Sequence, residues 1–182
     1  MPASLRSLFM SLRSGAARFG ADRKATAAVE FALIAAPLIF MICCSIEVGM
    51  IFLVSVTLDN ATDVAARGIR TGLTTGGNTT QAQFVQAICN NMGWLASSCP
   101  SSLSVDVQTF SSFTAVAAAT SLVQNGKLLT PTYAVGTGSQ IQMVRVYYDW
   151  PLFTPLMNPS LSTLANGDAV LTYKVVFRNE PF

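Results

Sequence analysis

Two carboxylates, Glu30 and Glu47, stand at the start and in the interior of an otherwise apolar run. An ionisable side chain in hydrocarbon is costly and marks a functional position unless a partner or a polar surface receives it. Glu30 opens the run, where a helix N-terminus and lipid headgroups both tolerate a negative charge. Glu47 follows at about 24 Å beyond Phe31 on a helix, near the far interface. It can reach headgroups or water there, and it is read as a structural or helix-contact residue. The other chemistry-bearing pair is Cys89 and Cys99, ten residues apart around Trp94. Outside the cytoplasm they are expected to form a disulfide, with two buried free thiols as the alternative. Cys43 and Cys44 lie inside the apolar run and behave as small hydrophobes.

The chain contains no histidine, which removes the commonest general base and the commonest metal ligand together. There is no CxxC pair. Asp106, Asp149 and Asp168 are separated by strand and turn patterns, so paired-carboxylate catalysis has no support. Gly72, Gly76 and Gly77 read as a helix stop rather than a phosphate loop. No catalytic residue, metal site, cofactor or small-molecule substrate is expected, and the chain does not read as an enzyme.

The element that must carry both glutamates is a long helix. Of 182 residues, 51% are hydrophobic and 11% charged, well under the charge of an ordinary soluble domain. Phe31 to Val56 forms the apolar run, twenty-six residues against the roughly 20 a bilayer needs. It is too long for a secretory signal core, and Leu58, Ala61, Ala65 and Ile69 continue a helical rhythm beyond it to about Arg70. Thr71-Gly72 and Thr74 to Asn78 stop the pattern. Asp63 and Arg67 sit one turn apart and can pair. Ala28, Ala32 and Ala36 form a row of small residues suited to helix–helix contact, and Pro37 should loosen the helix locally.

Ahead of the run, Arg6, Arg13, Arg18, Arg23 and Lys24 face Asp22 alone. That basic flank holds the N-terminus in the cytoplasm and the remainder outside. Its place beside a span argues against nucleic-acid binding. The expected organisation is a basic cytoplasmic leader over 1–25, a transmembrane and stalk helix over 26–72, and an extracytoplasmic α+β domain over 73–182. Within that domain, residues 81–89 read as a short helix with Phe84, Val85 and Ile88 inward. Residues 103–110, 141–148 and 169–177 alternate as strands. The helix and the stalk must cover the sheet's apolar face, giving helix packed on a small antiparallel sheet. Residues 113–135 fit either a helix over 115–124 or a loop.

The sequence Arg23-Lys24-Ala25-Thr26-Ala27-Ala28-Val29-Glu30-Phe31 resembles the processing site of type IV prepilins. The resemblance puts the cut between Ala25, where that family more often has glycine, and Thr26. Glu30 then becomes the fifth mature residue, followed by Phe31. Such a cut leaves the whole apolar helix on the product and creates an ammonium group at Thr26 that the Glu30 of an adjacent subunit can neutralise. With Ile46-Glu47-Val48-Gly49, Leu58-Asp59-Asn60-Ala61, Ala65-Ala66-Arg67 and the tail from Val144 to Phe182, the chain resembles the TadE-like family of the tight adherence (Flp) pilus machinery. That resemblance implies a pilin-like minor pilin or pseudopilin, single-pass in the bacterial inner membrane with a periplasmic C-terminal domain. It implies as partners the membrane, a prepilin peptidase, other pilins and the assembly platform of an adhesive pilus. The competing expectation is an unprocessed, membrane-anchored periplasmic scaffold or binding protein unrelated to pili.

Overall fold

The computed structural model describes residues 23–182. The expected leader lies outside the described residues as far as residue 22, and so do the side chains of residues 23–25. A single helix, α1, runs Arg23–Arg70 and passes through Pro37. Among the described residues it is the one helix long and apolar enough to cross a membrane, which supports single-pass membrane anchoring. Contacts divide the chain into two compact units at Ser45 and Ile46. In the first unit, Phe31, Leu33, Ile34, Leu38, Ile39 and Met41 are all exposed. An apolar surface on every side of a helix belongs in lipid or in a protein core.

The second unit is α+β. Its sheet has the order β1-β4-β5, with β1 spanning Leu103–Phe110, β4 Ile141–Trp150 and β5 Ala169–Arg178, all antiparallel. From α1, the stripe Val54, Leu58, Ala61 and Ile69 recurs at helical spacing and is fully buried. It packs with Val105, Val107, Val144, Val146 and Tyr148 from one face of the sheet. The helix α2, Gln81–Asn90, completes the cluster with Phe84 and Ile88, while Val85 is half-buried at its margin. Thr80 starts α2 with a capping box, its hydroxyl accepting from the Gln83 N–H while the Gln83 side chain accepts from the Thr80 N–H.

α1 ends where the Thr71 N–H returns to the Arg67 carbonyl (3.1 Å) and Gly72 takes φ of 78°. A Cβ on Gly72 would lie 2.6 Å from the Phe182 ring, so conformation and space both demand glycine. The C-terminal tail returns to the same place, the Glu180 N–H donating to the Arg70 carbonyl at 2.9 Å.

Alternation along β4 suggests one wet face, but the strand is buried from Ile141 to Tyr148 on both faces. Residues 113–135 supply the second cover. The expected helix over 115–124 is confined to Phe113–Ala117. A hairpin follows, pairing β2, Val123–Gln124, with β3, Lys127–Leu128, across Asn125-Gly126, whose φ values of 51° and 71° suit the tight turn. The chain then lies along the edge of β1, where Val107 donates to the Thr132 carbonyl and accepts from Ala134.

What holds this cover down is a cross-strand ion pair. Asp106 and Arg145 are direct register partners, and Arg145 donates Nε (3.0 Å) and Nη2 (2.8 Å) to one Asp106 oxygen. The other oxygen accepts from the Thr132 N–H (2.9 Å) and from Gln108 (3.0 Å), and Arg145 Nη1 reaches the Thr120 carbonyl. Removing one member leaves a buried charge uncompensated. Arg145→Met should therefore lower the unfolding free energy by about 3–5 kcal/mol, and adding Asp106→Leu should restore much of the loss. Denaturant titration of the two variants and the parent checks this.

Candidate functional site

Glu47 lies seven residues before Val54, on the stripe of α1 that faces the sheet domain. It is 0% exposed. One carboxylate oxygen accepts from the Phe153 N–H and the other from the Thr154 N–H, each at 2.9 Å. The sequence-based expectation was headgroup, water or another helix. The structure gives the carboxylate the chain's own loop after β4. Two charge-assisted hydrogen bonds to adjacent amides make a cradle for the anion, so its burial is compensated. Sequence reasoning missed the loop because nothing local links residue 47 to residue 153. The signal that could have found it is the register of Glu47 with Val54 and Ala61 on one helical face.

A Glu47→Gln side chain offers one acceptor to two donors and turns its own amide N–H groups toward one of them. The expected cost is about 1–3 kcal/mol. Hydrogen exchange at the Phe153 and Thr154 amides should accelerate while exchange in β4 stays at the parental rate.

Residues of the expected processing site lie together near the start of α1. Ala25 is in the helix, and Thr26, Ala28, Glu30, Phe31, Ala32 and Ala36 follow it with exposed side chains. Phe31 is 73% exposed. Cys89, in α2, and Cys99 are joined by a disulfide with Cα atoms 5.5 Å apart, and both side chains are fully buried.

A cleft of about 490 Å³ runs between the last turns of α1 and β5, lined by Asp63, Arg67 and Arg70 on one side and by Val175, Phe177 and Glu180 on the other. The expected pairing of Asp63 with Arg67 gives way to a tertiary bond, in which the Tyr173 hydroxyl donates to Asp63 at 2.9 Å. Arg70 and Glu180 approach to 3.7 Å with both side chains more than half exposed, a contact that adds little stability. Among the described residues, no cluster of three or more His, Cys, Asp or Glu side chains is placed to hold a metal.

One continuous helix thus runs from Ala25 to the stripe that meets the sheet. Residues 25–67 match the family of TadE-like proteins. No curated protein and no solved structure matches the chain. The TadE-like segment begins at Ala25, contains Glu30 and Glu47, and ends four residues before Thr71, so it coincides with α1. It relates the protein to components of the tight adherence pilus, and the sheet domain lies outside it.

Partial burial, the larger cause, and the bond to Asp63 push the Tyr173 phenol up to about 12. Because the folded state holds the neutral phenol, its contribution is complete below the ordinary tyrosine range near 10 and is lost as pH rises from there to about 12. An ultraviolet titration should show a late-ionising tyrosine that disappears in Tyr173→Phe.

Proposed function

We propose that this protein is a minor pilin or pseudopilin taking part in assembly of a tight adherence, Flp-type pilus. The observation that carries the proposal is the TadE-like match over residues 25–67, which lies on one continuous helix apolar enough to span a membrane. In this reading a prepilin peptidase acts on the cytoplasmic side between Ala25 and Thr26, and removes the basic leader 1–25. The mature chain keeps the helix 26–72 as membrane anchor and stalk, and carries the domain 73–182 in the periplasm.

The placement of Glu30 has a physical rationale. Cleavage at Thr26 creates an ammonium group one helical turn from Glu30, at the edge of the apolar segment. A neighbouring subunit's helix can exchange charges with it, its ammonium to this Glu30 and its Glu30 to this ammonium. The exposed small residues Ala28, Ala32 and Ala36 let two helices approach closely along the same stretch. The role is structural, with other pilins and the assembly platform as partners and no substrate to turn over.

N-terminal sequencing of the protein from the membrane fraction of a peptidase-proficient host tests the assignment. The expected terminus is Thr26, with Ala25→Leu keeping the leader attached. A parent chain that still begins at Met1 or Pro2 in that host would overturn processing and leave an uncut membrane-anchored scaffold.

A further inference from the structure

Between Asp149 and Asp168 the chain runs through eighteen residues without a charge. The first part, Pro151 to Met157, is the loop tied to Glu47. Its tip presents Phe153 at 51% and Leu156 at 75% exposure. A water-facing loop is ordinarily polar, and this one is not.

Its position on α1 gives the reason. Glu47 lies inside the apolar run Phe31 to Val56, and about 20 residues of span counted from Phe31 end near Met50, beyond Glu47. Away from the sheet, α1 stays apolar and exposed past that point, at Phe52, Leu53 and Val56. The loop is therefore fastened to a stretch of helix whose free side is still suited to lipid.

Backbone bookkeeping agrees. Hydrocarbon does not accept unpaired amides. Pro151 and Pro155 have no N–H, Phe153 and Thr154 donate to Glu47, and Met157 donates to the Thr154 carbonyl at 2.9 Å, which accounts for every amide of the loop but those of Leu152 and Leu156. The same contacts satisfy Glu47, so carboxylate and loop each lower the other's cost of immersion.

We propose that the loop Pro151 to Met157 is inserted in the membrane leaflet on the domain's side, with Phe153 and Leu156 against acyl chains and Glu47 holding it at that depth. The occupant of this apolar surface is phospholipid, because the surface continues the exposed apolar side of the span at Phe52, Leu53 and Val56. The proposal rests on the reading of α1 as a membrane span reaching past Glu47.

The test uses the full chain with Cys43→Ala and Cys44→Ala, reconstituted in phosphatidylglycerol and phosphatidylethanolamine vesicles. A nitroxide is placed in turn at Leu156→Cys, Phe52→Cys and Leu73→Cys, the last at an exposed site beyond the end of α1. Collision with oxygen and with a water-soluble nickel chelate reports depth. The expected result is a severalfold higher oxygen-to-chelate ratio at Leu156 than at Leu73, close to the ratio at Phe52. A chelate-accessible Leu156 beside an oxygen-rich Phe52 would overturn loop insertion and leave the span intact. Chelate access at both sites would remove the span past Glu47 and the proposal with it. Shielding of Leu156 from both collision partners, varying with protein-to-lipid ratio, would replace lipid by a protein neighbour and also overturn it.

Discussion

A carboxylate can leave water when its charge is met by donors that are already fixed in place, and Glu47 is met by two consecutive backbone amides. The rest of the second unit is arranged around that requirement. For the Phe153 and Thr154 amides to reach residue 47, β4 must run toward the membrane-spanning part of α1. The sheet must also lie with one face along the stripe from Val54 to Ile69. One polar contact of this kind fixes direction and register, which apolar packing alone leaves loosely specified. The apolar cluster supplies the area, and the carboxylate supplies the address.

The opposite face of the sheet is organised by a second buried charge. Asp106 and Arg145 face each other across β1 and β4, and their remaining capacity is spent on Thr132, Gln108 and Thr120. These bonds convert residues 113–135, which have little intrinsic preference for helix or strand, into a fitted cover. Without the pair, the central strand β4 would present Met143 and Tyr147 to solvent beside an unanchored segment. A three-stranded sheet therefore gains cover on both faces in a small domain.

The long helix, α2 and the three main strands were legible in the sequence because each has a clean period: 3.6 in Leu58, Ala61, Ala65 and Ile69, and 2 in Leu103 to Phe110. The helix stop at Thr71-Gly72 was legible because glycine marks it. The extent of the cover over 113–135 was not, since its conformation is decided by a carboxylate and a guanidinium on other strands. Pairing the strands antiparallel before judging their polar residues would have put Asp106 opposite Arg145. Glu47 was recognised as exceptional, but its partner lies more than a hundred residues away in a loop that looked like turn chemistry only. Local pattern reports which elements form; it is silent on which backbone amides end up beneath a given side chain. The TadE-like match has the same reach, covering α1 and stopping before the sheet.

The C-terminal tail has a mechanical meaning. β5 leads into Asn179 and Glu180, and the Glu180 amide donates to the Arg70 carbonyl at the end of α1, while Glu47 grips the loop at the other end of the same stretch of helix. The sheet is thus fastened to its helix at two points about 23 residues, or roughly 35 Å, apart. A pull along the helix axis is shared between the helical hydrogen bonds and the sheet acting as a splint. Neither end can peel first without carrying load into β4 and β5, whose ladder resists in shear.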